Sequence, residues 1–251
     1  AVTPFSINLI SSATTNIPND TVLCSSPNNN GDAWLGTKNG LMFYSRKNAK
    51  AYLADSVESN IKGLYINGIS FDKKTNMYLS TSSGVYASSD HTYFFKLLFG
   101  ETQSCIDVDG LDNLYITTEN GLYIVKLNNI YDKLLITKNN VSQENREIQV
   151  DSADITRISK ENGLISNALN VVRVDASNVA WIGSDQGLIR YFNGEISVFT
   201  TDNGLDSNKI NDISIRNTAI RYIATSSGVN KMVGIGINPL NFDNTNSHPS
   251  S

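Results

Sequence analysis

The hydrophobic pattern of this 251-residue chain is neither helical nor evenly alternating; it is an eight-residue phrase that occurs five times. Trp34–Leu41, Tyr78–Val85, Tyr115–Leu122, Trp181–Leu188 and Tyr222–Val229 each run aromatic, aliphatic, small, hydroxyl, two polar residues, Gly, aliphatic. An aromatic beside an aliphatic, without polar alternation, describes a short strand covered on both faces, as where sheets stack on sheets. The small third residue (Gly36, Ser80, Thr117, Gly183 or Ala224) lets a neighbouring sheet come close. The two polar residues and the glycine that follows (Gly40, Gly84, Gly121, Gly187 or Gly228) predict a tight hairpin turn with glycine at positive φ. Each phrase therefore predicts a strand, a turn and the start of another strand.

A second pattern precedes the aromatic. Ile69/Phe71, Ile106/Val108, Val172/Val174 and Ile213/Ile215 are alternating apolar pairs that predict an inner strand in four repeats. The first repeat departs from this, with Ser25, Pro27 and the run 28–30 of asparagines, which shifts its inner strand onto Val22 to Cys24. Between inner strand and phrase lie turns at 72–76, 107–113 and 175–178, where Asx turns account for the aspartates. Asp107, Asp109 and Asp112 are the alternative, a Ca²⁺ loop, but the segment has neither the length nor the terminal Glu of an EF-hand. No metal or other cofactor is expected. Outer strands follow the phrases, clearest at Glu195–Thr200, and the echo of Glu161–Asn167 in Asp202–Asn208 marks loops that carry the chain to the next repeat.

The turn glycines are 44, 37, 66 and 41 residues apart, a period of four strands and the length of a propeller blade. The expected fold is all-β: a five-bladed β-propeller of four-stranded antiparallel blades. The blades fall at about 13–55, 56–100, 101–160, 161–202 and 203–235. The last blade shows no outer strand, so residues 1–12, with Phe5–Ile10 strand-like, are expected to complete it and close the ring. Residues 236–251 read as an irregular tail. The long interval holds an insertion at 126–150 between third and outer strands, on the face opposite the phrase turns. It is either an extra hairpin or a place of functional difference.

Composition narrows the function by exclusion. A net charge of −4 argues against a nucleic-acid surface, and no apolar stretch approaches the roughly 20 residues of a membrane span. Cys24 and Cys105 read as small buried hydrophobes, not a disulfide. Histidine is confined to His91, in a turn, and His248, in a Pro/Ser/Asn-rich tail, which leaves no evident base for a nucleophilic triad. Two Cys and two His in unrelated places do not make a zinc site. A pair of carboxylates converging from different blades, as in glycoside hydrolysis, stays open as an alternative.

Trp181-Ile-Gly-Ser-Asp-Gln-Gly-Leu-Ile-Arg-Tyr191, Phe199 and Asn203-Gly-Leu-Asp-Ser-Asn208-Lys-Ile210 resemble the propeller repeats in sensor regions of hybrid two-component regulators. That resemblance implies a β-propeller and an extracytoplasmic ligand-sensing role. The family has more blades, a membrane span and signalling domains, so the fold carries over and the signalling does not. Val233-Gly-Ile-Gly-Ile-Asn-Pro239 resembles a segment of phage tail fibres, which makes a virion or adhesion component a second reading. The first reading is a non-catalytic propeller, extracytoplasmic, that recognises a protein or glycan or joins a larger assembly. Its candidate ligand-binding face carries the phrase turns: Lys38, Asn39, Ser82, Ser83, Glu119, Asn120, Asp185, Gln186, Ser226 and Ser227, with Asn162 and Asn203 nearby.

Overall fold

The computed structural model describes residues 21–28, 30–53, 61–99, 103–139 and 147–239. They form five four-stranded antiparallel sheets arranged as a β-propeller. Blade one holds β1 (Val22–Pro27), β2 (Ala33–Thr37), β3 (Gly40–Ser45) and β4 (Lys50–Leu53), and blade two β5 (Ile66–Phe71), β6 (Met77–Thr81), β7 (Gly84–Ser88) and β8 (Phe95–Phe99). Blade three holds β9 (Gln103–Val108), β10 (Asn113–Thr118), β11 (Gly121–Lys126) and β12 (Ile155–Ile158). Blade four holds β13 (Leu169–Val174), β14 (Ala180–Ser184), β15 (Leu188–Phe192) and β16 (Glu195–Phe199). Blade five holds β17 (Ile210–Ile215), β18 (Ile220–Thr225), β19 (Val229–Val233) and β20 (Gly236–Pro239).

The phrase does what its pattern requires. Its first four residues lie in the second strand of a blade, its glycine turns the chain at φ between 108° and 157°, and its last residue enters the third strand. Every residue of β6 and β14 is buried, as expected of strands covered on both faces. The small third position is a close approach: a Cβ on Gly183 would lie 2.6 Å from Ile210 Cγ2 and 2.7 Å from Val171 Cγ1. On Gly36 it would lie 2.6 Å from the Ile66 carbonyl of the next blade. Blades pack in chain order, β1 on β5, β5 on β9, β9 on β13 and β13 on β17. Among the described residues no comparable packing joins β17 to β1.

Two expectations are corrected. Blade five has its own outer strand: β20 pairs antiparallel with β19, Met232 opposite Ile237, around a turn at Gly234 with φ 60°. Residues 236–239 are therefore sheet and not tail; the expected N-terminal strand at 1–12 lies outside the described residues. The insertion is not a hairpin but a helix, α1 (Asn128–Asn139). It follows β11 and returns to β12, at the end of the blades opposite the phrase turns, as strand order requires. Ile130, Tyr131 and Leu134 bury themselves with Phe95, Leu97 and Val125, and the return path bonds Ile148 N to Lys96 O at 2.8 Å. The insertion thus straps blade three to the outer strand of blade two. No helix is long and apolar enough to cross a membrane among the described residues.

Gly183→Ala is expected to lower stability by about 1–3 kcal/mol through overpacking, seen as a fall of about 2–4 °C in Tm per kcal/mol. An unchanged Tm by calorimetry would mean that the approach of β14 to Ile210 is not tight.

Candidate functional site

The fourth residue of every phrase closes its turn in the same way. Thr37, Thr81, Thr118, Ser184 and Thr225 each donate from the hydroxyl to the carbonyl of the turn glycine, at 2.8–3.1 Å. Each also accepts from the N–H two residues on, that of Asn39, Ser83, Asn120, Gln186 or Ser227, at 3.0–3.2 Å. Five turns are therefore held rigid by buried hydroxyls while their tips vary: Lys-Asn, Ser-Ser, Glu-Asn, Asp-Gln and again Ser-Ser in chain order. All ten predicted site residues stand on these tips, exposed except for half-buried Ser83.

Several tips are tied to their surroundings. Asp185 accepts from Asn170 Nδ2 at 2.8 Å and lies 3.4 Å from Lys209 Nζ, and those partners hold its carboxyl below the usual range. The hydroxyls of Ser226 and Ser207 are 2.7 Å apart, and Ser82 Oγ accepts from Tyr65 N at 3.2 Å. The crossing loops cap themselves: Asn162 Oδ1 accepts from Ser159 N at 3.0 Å, and Asn203 Oδ1 from Thr200 N at 2.9 Å.

At the other end the aspartate turns are Asx turns, as expected. Asp72, Asp109 and Asp175 each accept two backbone N–H groups on Oδ1. Their Oδ2 takes the polar tip of the phrase aromatic: Tyr78 OH at 2.9 Å, Tyr115 OH at 3.3 Å and Trp181 Nε1 at 3.2 Å. In blades two to four this gives the phrase aromatic a reason to be Tyr or Trp and not Phe. Burial first, and the adjoining aspartate next, push the Tyr78 and Tyr115 phenols up, so they stay donors. No group of three or more His, Cys, Asp or Glu that could hold a metal occurs among the described residues.

Asp175 carries an additional load. It accepts from Arg221 Nη2 of blade five at 2.6 Å, with both side chains buried, and the guanidinium lies 4.0 Å above the Trp181 ring. Burial acts to raise this carboxyl, but the Arg221 bond, then Trp181 and two backbone N–H groups, outweigh it and leave it below the usual range.

The pairing pattern shows a feature that sequence reading missed. Every inner strand skips one residue against its neighbour, at Leu23, Asn67, Ser104, Asn170 and Asn211, a bulge repeated at one level of all five blades. Beyond the bulges, Cys24, Asn67, Cys105, Asp107 and Arg173 line a channel cavity of about 150 Å³. Arg173 spans the wall: Nη1 lies 2.8 Å from Cys105 Sγ and Nη2 3.1 Å from Asp212 Oδ1. Asp107 accepts from Ser70 Oγ at 3.1 Å and Val174 N at 2.8 Å, and burial raises its carboxyl. The charges carried by the inner strands (Asp107, Arg173, Asp212) were the available signal. Both thiols are free, as expected, and burial pushes Cys24 up to about 12. His91 is not simply solvated: its ring stands edge-on to Trp34 and Phe71, and Nε2 is 2.9 Å from Thr75 O.

No protein-family model and no curated protein matches the chain. Solved structures do. The extracellular domain of a hybrid two-component system from B. thetaiotaomicron aligns at 18% identity and TM-score 0.64, over 85% of this chain and 27% of that one. PorZ, a surface component of the type-IX secretion system of Porphyromonas gingivalis, aligns at 16% and 0.62, over 93% and 34%. Virginiamycin B lyase from Staphylococcus aureus aligns at 14% and 0.61, over 90% and 72%. The likeness is one of fold. The chain spans about a quarter to a third of the length of the first two.

Two measurements check the site chemistry. Asp175→Asn leaves Arg221 buried without its counter-charge and is expected to cost about 3–5 kcal/mol at pH 7. Because the folded-state pKa of Asp175 is lowered, its contribution is present above the ordinary carboxylate value near 4 and is lost as pH falls below it, so the cost shrinks in acid; a pH-independent difference in urea melts would refute this. Since the Cys24 thiol sits at about 12, alkylation at pH 8.5 should be at least about 100-fold slower than in urea-unfolded chain. The stability that its protonated form supplies is kept below the ordinary thiol value and lost as pH rises toward about 12. Equal labelling rates in the two states would contradict the buried placement.

Proposed function

We propose that this propeller is a non-catalytic, extracytoplasmic recognition module that holds a segment of another protein across its phrase-turn face. The observation that carries this reading is the contrast between invariant turn geometry and variable tips: five buried hydroxyls fix the backbone, and four kinds of residue pair stand on it, Ser-Ser occurring in both blades two and five. A rigid scaffold with exposed, differing side chains loses little order on binding, which is the logic of loop-borne recognition. The tips carry both signs of charge, Lys38 against Glu119 and Asp185, which suits the mixed charge of a protein surface better than a neutral glycan.

The fold-level likeness to an extracellular domain and to a surface component supports the location and the binding role. The likeness to a lyase supports catalysis less, because His91 is held between two aromatic rings in a structural turn. The segment Val233–Pro239, which prompted the virion reading, is the β19–β20 hairpin, so blade five itself accounts for it.

The test is selection from a displayed peptide library and from a glycan array, followed by titration of the selected probes against tip variants. Asp185→Ala combined with Gln186→Ala should weaken a selected peptide about tenfold or more with Tm unchanged within about 2 °C. Peptides indifferent to every tip would reject this face, and selection of glycans alone would reject a protein ligand.

A further inference from the structure

The last sheet of the array presents a face that every other blade covers. In blades one to four the phrase aromatic points to the following blade. Trp34 meets His91 at 5.4 Å, Tyr78 packs with Ile106 and Leu114, Tyr115 meets Tyr191 at 6.5 Å, and Trp181 lies under Arg221. Tyr222 is the fifth in this series; it is half-buried, as Trp34 is, but among the described residues no following blade meets it. Along β18 burial alternates: Arg221, Ile223 and Thr225 are buried against blade four, whereas Ile220, Tyr222 and Ala224 are half-exposed. Pairing puts Lys231 beside Tyr222 and Val233, 47% exposed, beside Ile220 on the same face.

Charge changes here as well. Six residues before the aromatic, blades two to four carry Asp72, Asp109 and Asp175; blade five carries Arg216, which is exposed. Across the interface between blades four and five an acid meets a base, Asp175 with Arg221. On the face that no described blade covers, pairing sets Arg216 opposite Ile220 and Lys231 opposite Tyr222, so two basic residues flank the apolar row.

We propose that this face docks one further blade-like β-sheet of a partner polypeptide, with an aliphatic side chain against Tyr222 and carboxylates against Arg216 and Lys231. The face continues four successive interfaces of the same geometry, and its charge selects an acidic partner. A second copy does not fit: its own blade-five face would set Arg216 and Lys231 against themselves. Its first blade has Leu35, Met42 and Ala51 already buried on the opposite side.

The probe is a cyclised β-hairpin carrying an aliphatic row and two glutamates, titrated into the full chain by fluorescence anisotropy. One-to-one binding below about 1 mM is expected, weakened about tenfold or more by Tyr222→Ala, by Arg216→Glu, or by replacing the hairpin glutamates with lysines. Asp185→Ala, on the turn face, should leave it unchanged. No binding, or equal binding of the lysine hairpin, overturns the proposal. So does a benzoylphenylalanine placed at position 233 that crosslinks the chain to its own residues 1–20, or a dimer in sedimentation that dissociates on Tyr222→Ala. A monomer without such crosslinks, together with glutamate-dependent binding, supports it.

Discussion

Blade-on-blade contact governs this structure: a four-stranded sheet whose second strand is apolar on both faces must be covered twice, and at close range. Gly183 shows how close, since the next blade already occupies the space where a Cβ would go. A helix cannot satisfy this geometry and an isolated sheet cannot satisfy it alone, so the repeat is stable only as an array. The hydrophobic effect pulls sheets together but does not fix their angle or height. Directional groups do that.

Those groups occur at two levels. Near one end, in blades two to four, the Tyr or Trp that fills the gap between blades also donates to an aspartate turn, so one side chain packs the interface and locks a loop. Between blades four and five the same aspartate reaches an arginine, and Trp181 provides the ring beneath it. Around the channel, Arg173 and Asp107 link three blades each with charged hydrogen bonds. At the opposite end each turn is closed within its own hairpin by a hydroxyl, and the charged contact reaching the next blade there, Asp185 with Lys209, is exposed. That leaves the tip side chains available to differ, and the end whose geometry is satisfied locally is the one suited to recognition.

Much of this was legible in the residues because repetition supplies its own control. A hydroxyl at one place in five phrases, or an aromatic that is never Phe, marks a role before the partner is known. Helix α1 was less legible: Ile130, Tyr131 and Leu134 interrupt a polar stretch, and only Phe95 and Leu97 of the neighbouring blade make them a buried face. The bulges were harder to see: three of the residues they displace are Asn67, Asn170 and Asn211, but Leu23 and Ser104 stand at the same level, and asparagine is frequent throughout the chain. What they share is a place in the pairing.

By itself the chain's pattern determined the blade: strand lengths, hairpin turns, antiparallel order and a period near 40 residues, all of which follow from contacts between residues close in sequence. Tertiary structure alone decided which atoms meet across blades: Arg221 with Asp175, Arg173 with Cys105, and, among the described residues, a face at Tyr222 that no other blade covers. These partners lie 46 and 68 residues apart. Local propensity acts within a few residues, so it specifies a sheet, whereas the angle at which one sheet leans on another is set by packing that no short window contains.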